Sequence, residues 1–134
     1  YADIDSFSDS GTFQVVAGTG KNEIKELLPV LCDELINSPA NLTEKEIEKS
    51  KAQLKTSTLM SIESTMNNAT TAAYQLIRYG RLIEIDERID KINNVTKSSI
   101  ETNAKKLLSS KPTISSIGPI KDLETLDKIQ DRFN

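Results

Sequence analysis

No histidine occurs among the 134 residues, and that absence bounds the chemistry first. Imidazole is the usual general base and a common zinc ligand, so no Ser–His or Cys–His pair can form within this chain. The one thiol, Cys32, and scattered carboxylates do not supply the tight cluster of ligands that zinc takes. With no imidazole to activate it, Cys32 reads as a small core residue rather than a nucleophile. Glu44, Glu46 and Glu48 lie close together in sequence. They head a predicted helix, where the N-terminal dipole favours carboxylates, and this is a better account than an acid/base pair. Thr19-Gly20-Lys21 has the ending of a phosphate-binding loop but lacks the earlier glycine, so it reads as a strand-to-helix turn. Arg78 and Tyr79 sit at a predicted helix end, which favours a structural role for both. Asn41, Asn68 and Asn94 head glycosylation sequons that read as chance matches in an Asn- and Thr-rich chain. Taken alone, these residues support no catalytic mechanism.

The bulk composition narrows the partners. Lys plus Arg is 17 and Asp plus Glu is 20, a net charge of −3 with no dense basic run, which argues against a nucleic-acid surface. A single cysteine allows no internal disulfide. The longest apolar runs are too short for a membrane span. Aromatic residues make up 4%, so any core is aliphatic. The length suits one domain or a piece of one. Tyr1 opens what reads as the middle of a strand, which predicts that an upstream portion belongs to the protein.

The elements that would position these residues begin with two strands, Tyr1 to Ser8 and Thr12 to Gly18. Ser8-Asp9-Ser10-Gly11 between them is hairpin-turn chemistry, with Gly11 expected to supply a positive φ. Phe13, Val15 and Ala17 alternate onto one face. Ile24, Leu27, Leu28, Leu31, Cys32, Leu35 and Ile36 then follow helical spacing, with Pro29 inside the helix. Ser38-Pro39-Ala40-Asn41 reads as a loop.

The longest helical stretch is Thr43 to Arg81. Thr43 and Glu46 have capping-box spacing, and Gly80 stands where a left-handed C-terminal cap belongs. Ile47, Leu54, Ile62, Met66, Ala69, Ala73 and Leu76 share a predicted inward face. Poor helix formers from Ser64 to Thr71 allow either one helix or two with a joint near Asn67. A short helix over Ile85 to Val95 turns Ile85, Ile89 and Ile92 inward. Thr96 is expected to cap the next helix, which runs to about Ser109. Thr113 to Gly118 reads as a short strand, and Asp122 as the cap of a last helix with Leu123, Leu126 and Ile129 inside. Strands first and last with helices between predict an α+β fold, a small antiparallel or mixed sheet covered by helices.

Several words in this order carry a family resemblance. They are KAQL at Lys51 to Leu54, SIEST at Ser61 to Thr65, and AYQLIRYGR at Ala73 to Arg81, followed by an acidic stretch. KINNVT ending at Thr96, and Lys111-Pro112-Thr113 leading to Ile117-Gly118-Pro119, continue it. Together with the opening YADIDSFSDSGTFQVVAGT, they make the chain from Tyr1 to about Ile120 resemble the C-terminal segment of the mitochondrial-processing-peptidase-like, or pitrilysin-type, zinc metallopeptidases. No single word is specific; their order and spacing are.

The resemblance implies that residues 1–134 are a fragment of the C-terminal peptidase-family domain, lacking its upstream strands. Zn2+ would be held by a separate N-terminal half through an inverted His-x-x-Glu-His motif. It implies for Tyr1 the role of a phenol donor to the scissile carbonyl oxygen of a peptide substrate, beside an arginine shortly upstream. The fragment alone would be inactive. Implied partners are the protein's own N-terminal half and a homodimeric or heterodimeric homologous subunit. The same fold also serves non-catalytic regulatory or scaffold subunits, and a stand-alone helical binding module is a third reading.

Overall fold

A computed structural model of the chain describes residues 1–133. It opens with two strands, β1 (Ala2–Ser6) and β2 (Gly11–Val15), paired in a two-stranded sheet. The Phe7 N–H donates to the Ser10 carbonyl at 2.9 Å and closes the hairpin. Gly11 does not have the positive φ expected of it; among the described residues only Gly80 and Gly118 do. What Gly11 provides is room, since a Cβ there would stand 3.1 Å from the Asp5 carbonyl oxygen.

The chain folds as two compact units. The first takes in Tyr1–Ala2, Val15–Leu42 and the chain from Lys97 onward. Its helices are α1 (Ile24–Asn41), α5 (Lys97–Leu108) and α6 (Leu126–Phe133), and α1 packs on both others. Most of the predicted apolar face of α1 is observed: Cys32 is buried, and Ile24, Leu27, Leu28, Leu31 and Leu35 are half-buried, while Ile36, expected with them, is exposed. Ile129 of α6 is the other buried side chain here. The expected loop at Ser38 to Asn41 is instead the last turn of α1. Pro39 removes only the bond to the Leu35 carbonyl, and its fixed φ is helical, so the turn persists. The Leu42 N–H still reaches the Ser38 carbonyl at 3.1 Å, and Lys97 Nζ donates to the Leu42 carbonyl at 2.9 Å.

The last strand expected, Thr113 to Gly118, does not form. A strand needs a neighbour for its ladder, and among the described residues the sheet contains only β1 and β2. The final helix also starts later than expected. Leu126, not Leu123, is its first residue, and the Ile129 N–H donates to the Thr125 carbonyl.

The second unit takes in Asp3–Gln14 and Thr43–Thr96. It contains α2 (Glu44–Ser61), α3 (Thr65–Tyr79) and α4 (Ile85–Asn93). The capping box of α2 is present as the spacing required: the Thr43 N–H donates to Glu46 Oε2 at 2.8 Å, and the Glu46 N–H to Thr43 Oγ1 at 3.3 Å. The long stretch is two helices, jointed at Ile62 to Ser64 rather than near Asn67. Ser64 wins as the cap because its hydroxyl can accept from the Asn67 N–H, and Asn68 Nδ2 donates to the Ile62 carbonyl at 2.6 Å. Gly80 ends α3 at φ 68°, the left-handed cap the sequence predicts.

α2 packs on α4, with Ile47 buried and Ile85, Ile89 and Ile92 half-buried. Lys55 Nζ adds a 3.1 Å bond to Asn93 Oδ1 between the two. The rest of the inward face predicted for this stretch is not inward. Leu54, Ile62, Met66, Ala69, Ala73 and Leu76 are all exposed. With six helices and one small sheet among the described residues, the α+β class holds. No helix in them is long and apolar enough to cross a membrane.

Candidate functional site

Tyr1 stands at the open end of the hairpin. Its amino group donates to the Val16 carbonyl, and the Val16 N–H donates back to the Tyr1 carbonyl, both at 2.9 Å. This exchange of both bonds makes Tyr1 and Val16 directly opposed residues and fixes the register of the hairpin. Asp3 then faces Gln14 and Asp5 faces Thr12, and these four share one face. Ala2, Ile4, Phe13 and Val15 fall on the other face.

The two faces differ in chemistry. Asp3, Asp5, Thr12 and Gln14 are all exposed, and Tyr1 is 80% exposed, so its phenol stands in water. Gln14 Nε2 leans across to Asp5 Oδ2 at 3.4 Å. Phe13 and Val15 on the opposite face are half-buried. Asp3, Asp5, Thr12 and Gln14 went unread as one polar face because β1 alternates poorly by itself; pairing the two strands across the turn would have found them.

A tyrosine on a wet face can donate a hydrogen bond to an incoming carbonyl oxygen, and the free edges of a two-stranded sheet can take an extended peptide. The Asp3 carboxylate already occupies one outward N–H of β1, that of Ile4, at 2.8 Å. Among the described residues β2 has no second neighbour along its outer edge.

The other residues with chemical potential are otherwise engaged. Cys32 is 2% exposed, and burial pushes its thiol above the ordinary value, the opposite of an activated nucleophile. Glu46 is held below the usual carboxylate range by the Thr43 N–H and hydroxyl that it accepts from. Glu48 pairs with Lys51 at 2.9 Å. Arg78 lies over the Tyr74 ring, 5.2 Å from its centroid. Tyr79 is 56% exposed and does not pack as a cap. No group of three or more cysteine, aspartate or glutamate side chains suited to a metal ion occurs among the described residues.

No family model matches the chain. Individual relatives do, along nearly all of it. An uncharacterized zinc protease of Streptomyces coelicolor is 29% identical over 123 residues, 91% of this chain and 27% of the relative. The mitochondrial-processing peptidase subunit alpha of Caenorhabditis elegans is 29% identical over 126 residues, 92% of this chain and 24% of the relative. The probable mitochondrial-processing peptidase subunit beta of Arabidopsis thaliana is 29% identical over 128 residues, 95% of this chain and 24% of the relative. The chain is similar along nearly all of its length to proteins named as zinc proteases and as processing-peptidase subunits. The family expected from its scattered words is thus borne out, and with it the link to zinc proteases. The chain spans about a quarter of the length of the curated proteins it matches.

Proposed function

We propose that these residues form the C-terminal, substrate-facing part of a zinc-dependent metalloendopeptidase that cleaves peptides or presequence-like segments. The observation that carries this reading is the likeness to proteins named as zinc proteases and as processing peptidases over 91% and 92% of the chain. The chain is a fragment of the C-terminal peptidase-family domain, and the zinc is held by the N-terminal half of the longer protein. That assignment rests on relatives named as zinc proteases, of which this chain matches about a quarter. Tyr1 presents its phenol to the scissile carbonyl oxygen as negative charge develops there, and the exposed polar face of the hairpin leaves room for an extended peptide.

Zinc content and hydrolysis of unstructured peptides by the full-length protein test the proposal. One zinc per chain, activity lost to a chelator and regained with zinc, and an inactive 1–134 fragment are the expected results. A full-length protein that binds no zinc and hydrolyses no peptide overturns it.

A second reading is a non-catalytic regulatory or scaffold subunit. Relatives named as alpha and beta subunits favour it, since such names belong to assemblies of unlike chains. Co-purification with a zinc-bearing homologue, and activity only in the mixture, would select this reading over the first.

A further inference from the structure

Cys32 and Ile129 are the two buried side chains of the first unit among the described residues, 2% and 3% exposed. They belong to α1 and α6, which pack on each other. The charged groups that act on the Cys32 thiol are Arg132, Glu124 and its chain neighbour Asp33. Arg132 lies in α6 and Glu124 in the chain that leads into it, so that segment is what lies over the thiol.

Little holds the segment there. Among the described residues, the hydrogen bonds and ion pairs made from Lys111 to Phe133 stay within that stretch. The Ile120 N–H donates to the Gly118 carbonyl, the Leu123 N–H to the Ile120 carbonyl and the Ile129 N–H to the Thr125 carbonyl. Arg132 reaches back to Glu124 with Nε at 3.1 Å and Nη2 at 2.9 Å. This clamp joins the last turn of α6 to the chain just before its start, so it ties the segment to itself and not to α1. Helix α5 differs, since its Lys97 Nζ is bonded to the Leu42 carbonyl at the end of α1.

Docking therefore rests on apolar contact. Ile129 is its one buried anchor, and Leu123, Gln130 and Phe133 are half-buried. The tether adds no further hold. Ser109 to Thr125 contains neither helix nor strand, and all of it is exposed except Pro112, Leu123 and Glu124. A stretch with few buried apolar groups and no hydrogen bonds to its neighbours opens at a small part of the free energy of global unfolding.

We propose that Lys111 to Phe133 is a strap that lifts from α1 in one piece while the rest of its unit stays folded, and that this lifting is what uncovers Cys32. The thiol is then a gated group, open to reagents in solution only while the strap is off. The inference stands apart from the peptidase reading and does not need it.

The test uses the unsubstituted full-length protein, pulsed with iodoacetamide, with alkylation of the Cys32 peptide read by mass spectrometry. Lifting the strap exposes little surface, so the labelling rate should rise with urea at less than about a third of the slope of global unfolding. Labelling that follows the global slope overturns the proposal. Labelling of the folded protein as fast as of the unfolded one also overturns it, because the thiol would then have no cover. Amide exchange on the same protein is the second measurement. The amides of α6 should exchange at least about tenfold faster than those from Leu31 to Leu35 of α1. Equal protection of the two helices overturns the proposal. Ile129→Ala, which removes the anchor, should speed labelling of Cys32 at least about tenfold and leave exchange from Leu31 to Leu35 unchanged. A rise in both together shows that strap and helix open as one, and sinks the inference.

Discussion

Arg81 grips Glu87 with both guanidinium nitrogens, Nη1 to Oε2 and Nη2 to Oε1, each at 2.8 Å. Lys91 adds a third contact to Oε1 at 2.9 Å, from one turn further along α4. The chain leaving α3 is thereby tied to the helix that follows. These bonds lower the Glu87 carboxyl from its ordinary 4.5 to about 2, the Arg81 hydrogen bonds first among the causes. A carboxyl depressed in the folded state stabilises it fully above the ordinary value, and the contribution disappears as the pH falls through the folded one. Glu87→Gln should therefore lower Tm slightly at neutral pH, with the difference shrinking as the pH falls from the ordinary 4.5 toward 2. The effect should be small and weakened by salt, since the pair is exposed. Thermal melts of both proteins across that range check it.

Gly80 ends α3 at φ 68°, and a Cβ built there meets nothing within 4 Å. Space is not the constraint, so the cost of a side chain is purely that of the left-handed backbone. Gly80→Ala should destabilise by about 1 kcal/mol, and Gly80→Asn by less, because asparagine tolerates this region. Urea denaturation with an unchanged m-value would show that only stability has moved.

Local chemistry was the most legible part of the sequence. Thr43 with Glu46, and Gly80 after Tyr79, specify their caps through bonds within a few residues, so nothing distant can override them. The apolar faces of α1 and α4 were legible for a related reason, since each helix has a packing partner here in α5, α6 or α2. The misses share one cause. Thr113 to Gly118 has strand composition but no neighbouring strand among the described residues, and Met66, Ala73 and Leu76 have core spacing but stand exposed. Sequence pattern reports what a residue is suited to touch, not whether a partner lies within reach. The candidate site rests on the family resemblance, because Tyr1 alone has no sequence context that marks it.

The cap on α2 makes a sharper prediction than its packing does. Thr43 Oγ1 accepts from the Glu46 N–H at 3.3 Å and donates to Glu46 Oε2 at 2.7 Å. Thr43→Ala removes both and should cost about 1 kcal/mol, whereas Thr43→Ser should cost little. Amide exchange at Glu46 and Ile47, the first turn of the helix, should rise in the alanine variant and not in the serine one. Equal exchange in all three proteins would show that the box contributes nothing.

Tyr1 offers the prediction that bears on chemistry. Its backbone is fixed to Val16 by two 2.9 Å bonds, so removing the hydroxyl should leave the hairpin intact. If the phenol donates to the carbonyl oxygen only as charge builds up there, Tyr1→Phe in the full-length protein should lower kcat with little change in KM. Loss of one such donor is expected to cost about 100- to 1000-fold in kcat. A tyrosine that merely packs at the sheet edge predicts the reverse: unchanged kcat and, at most, a lower Tm. A tyrosine that only helps hold the peptide predicts a raised KM at constant kcat. Steady-state kinetics on an unstructured peptide, with Tm measured alongside, separate the three.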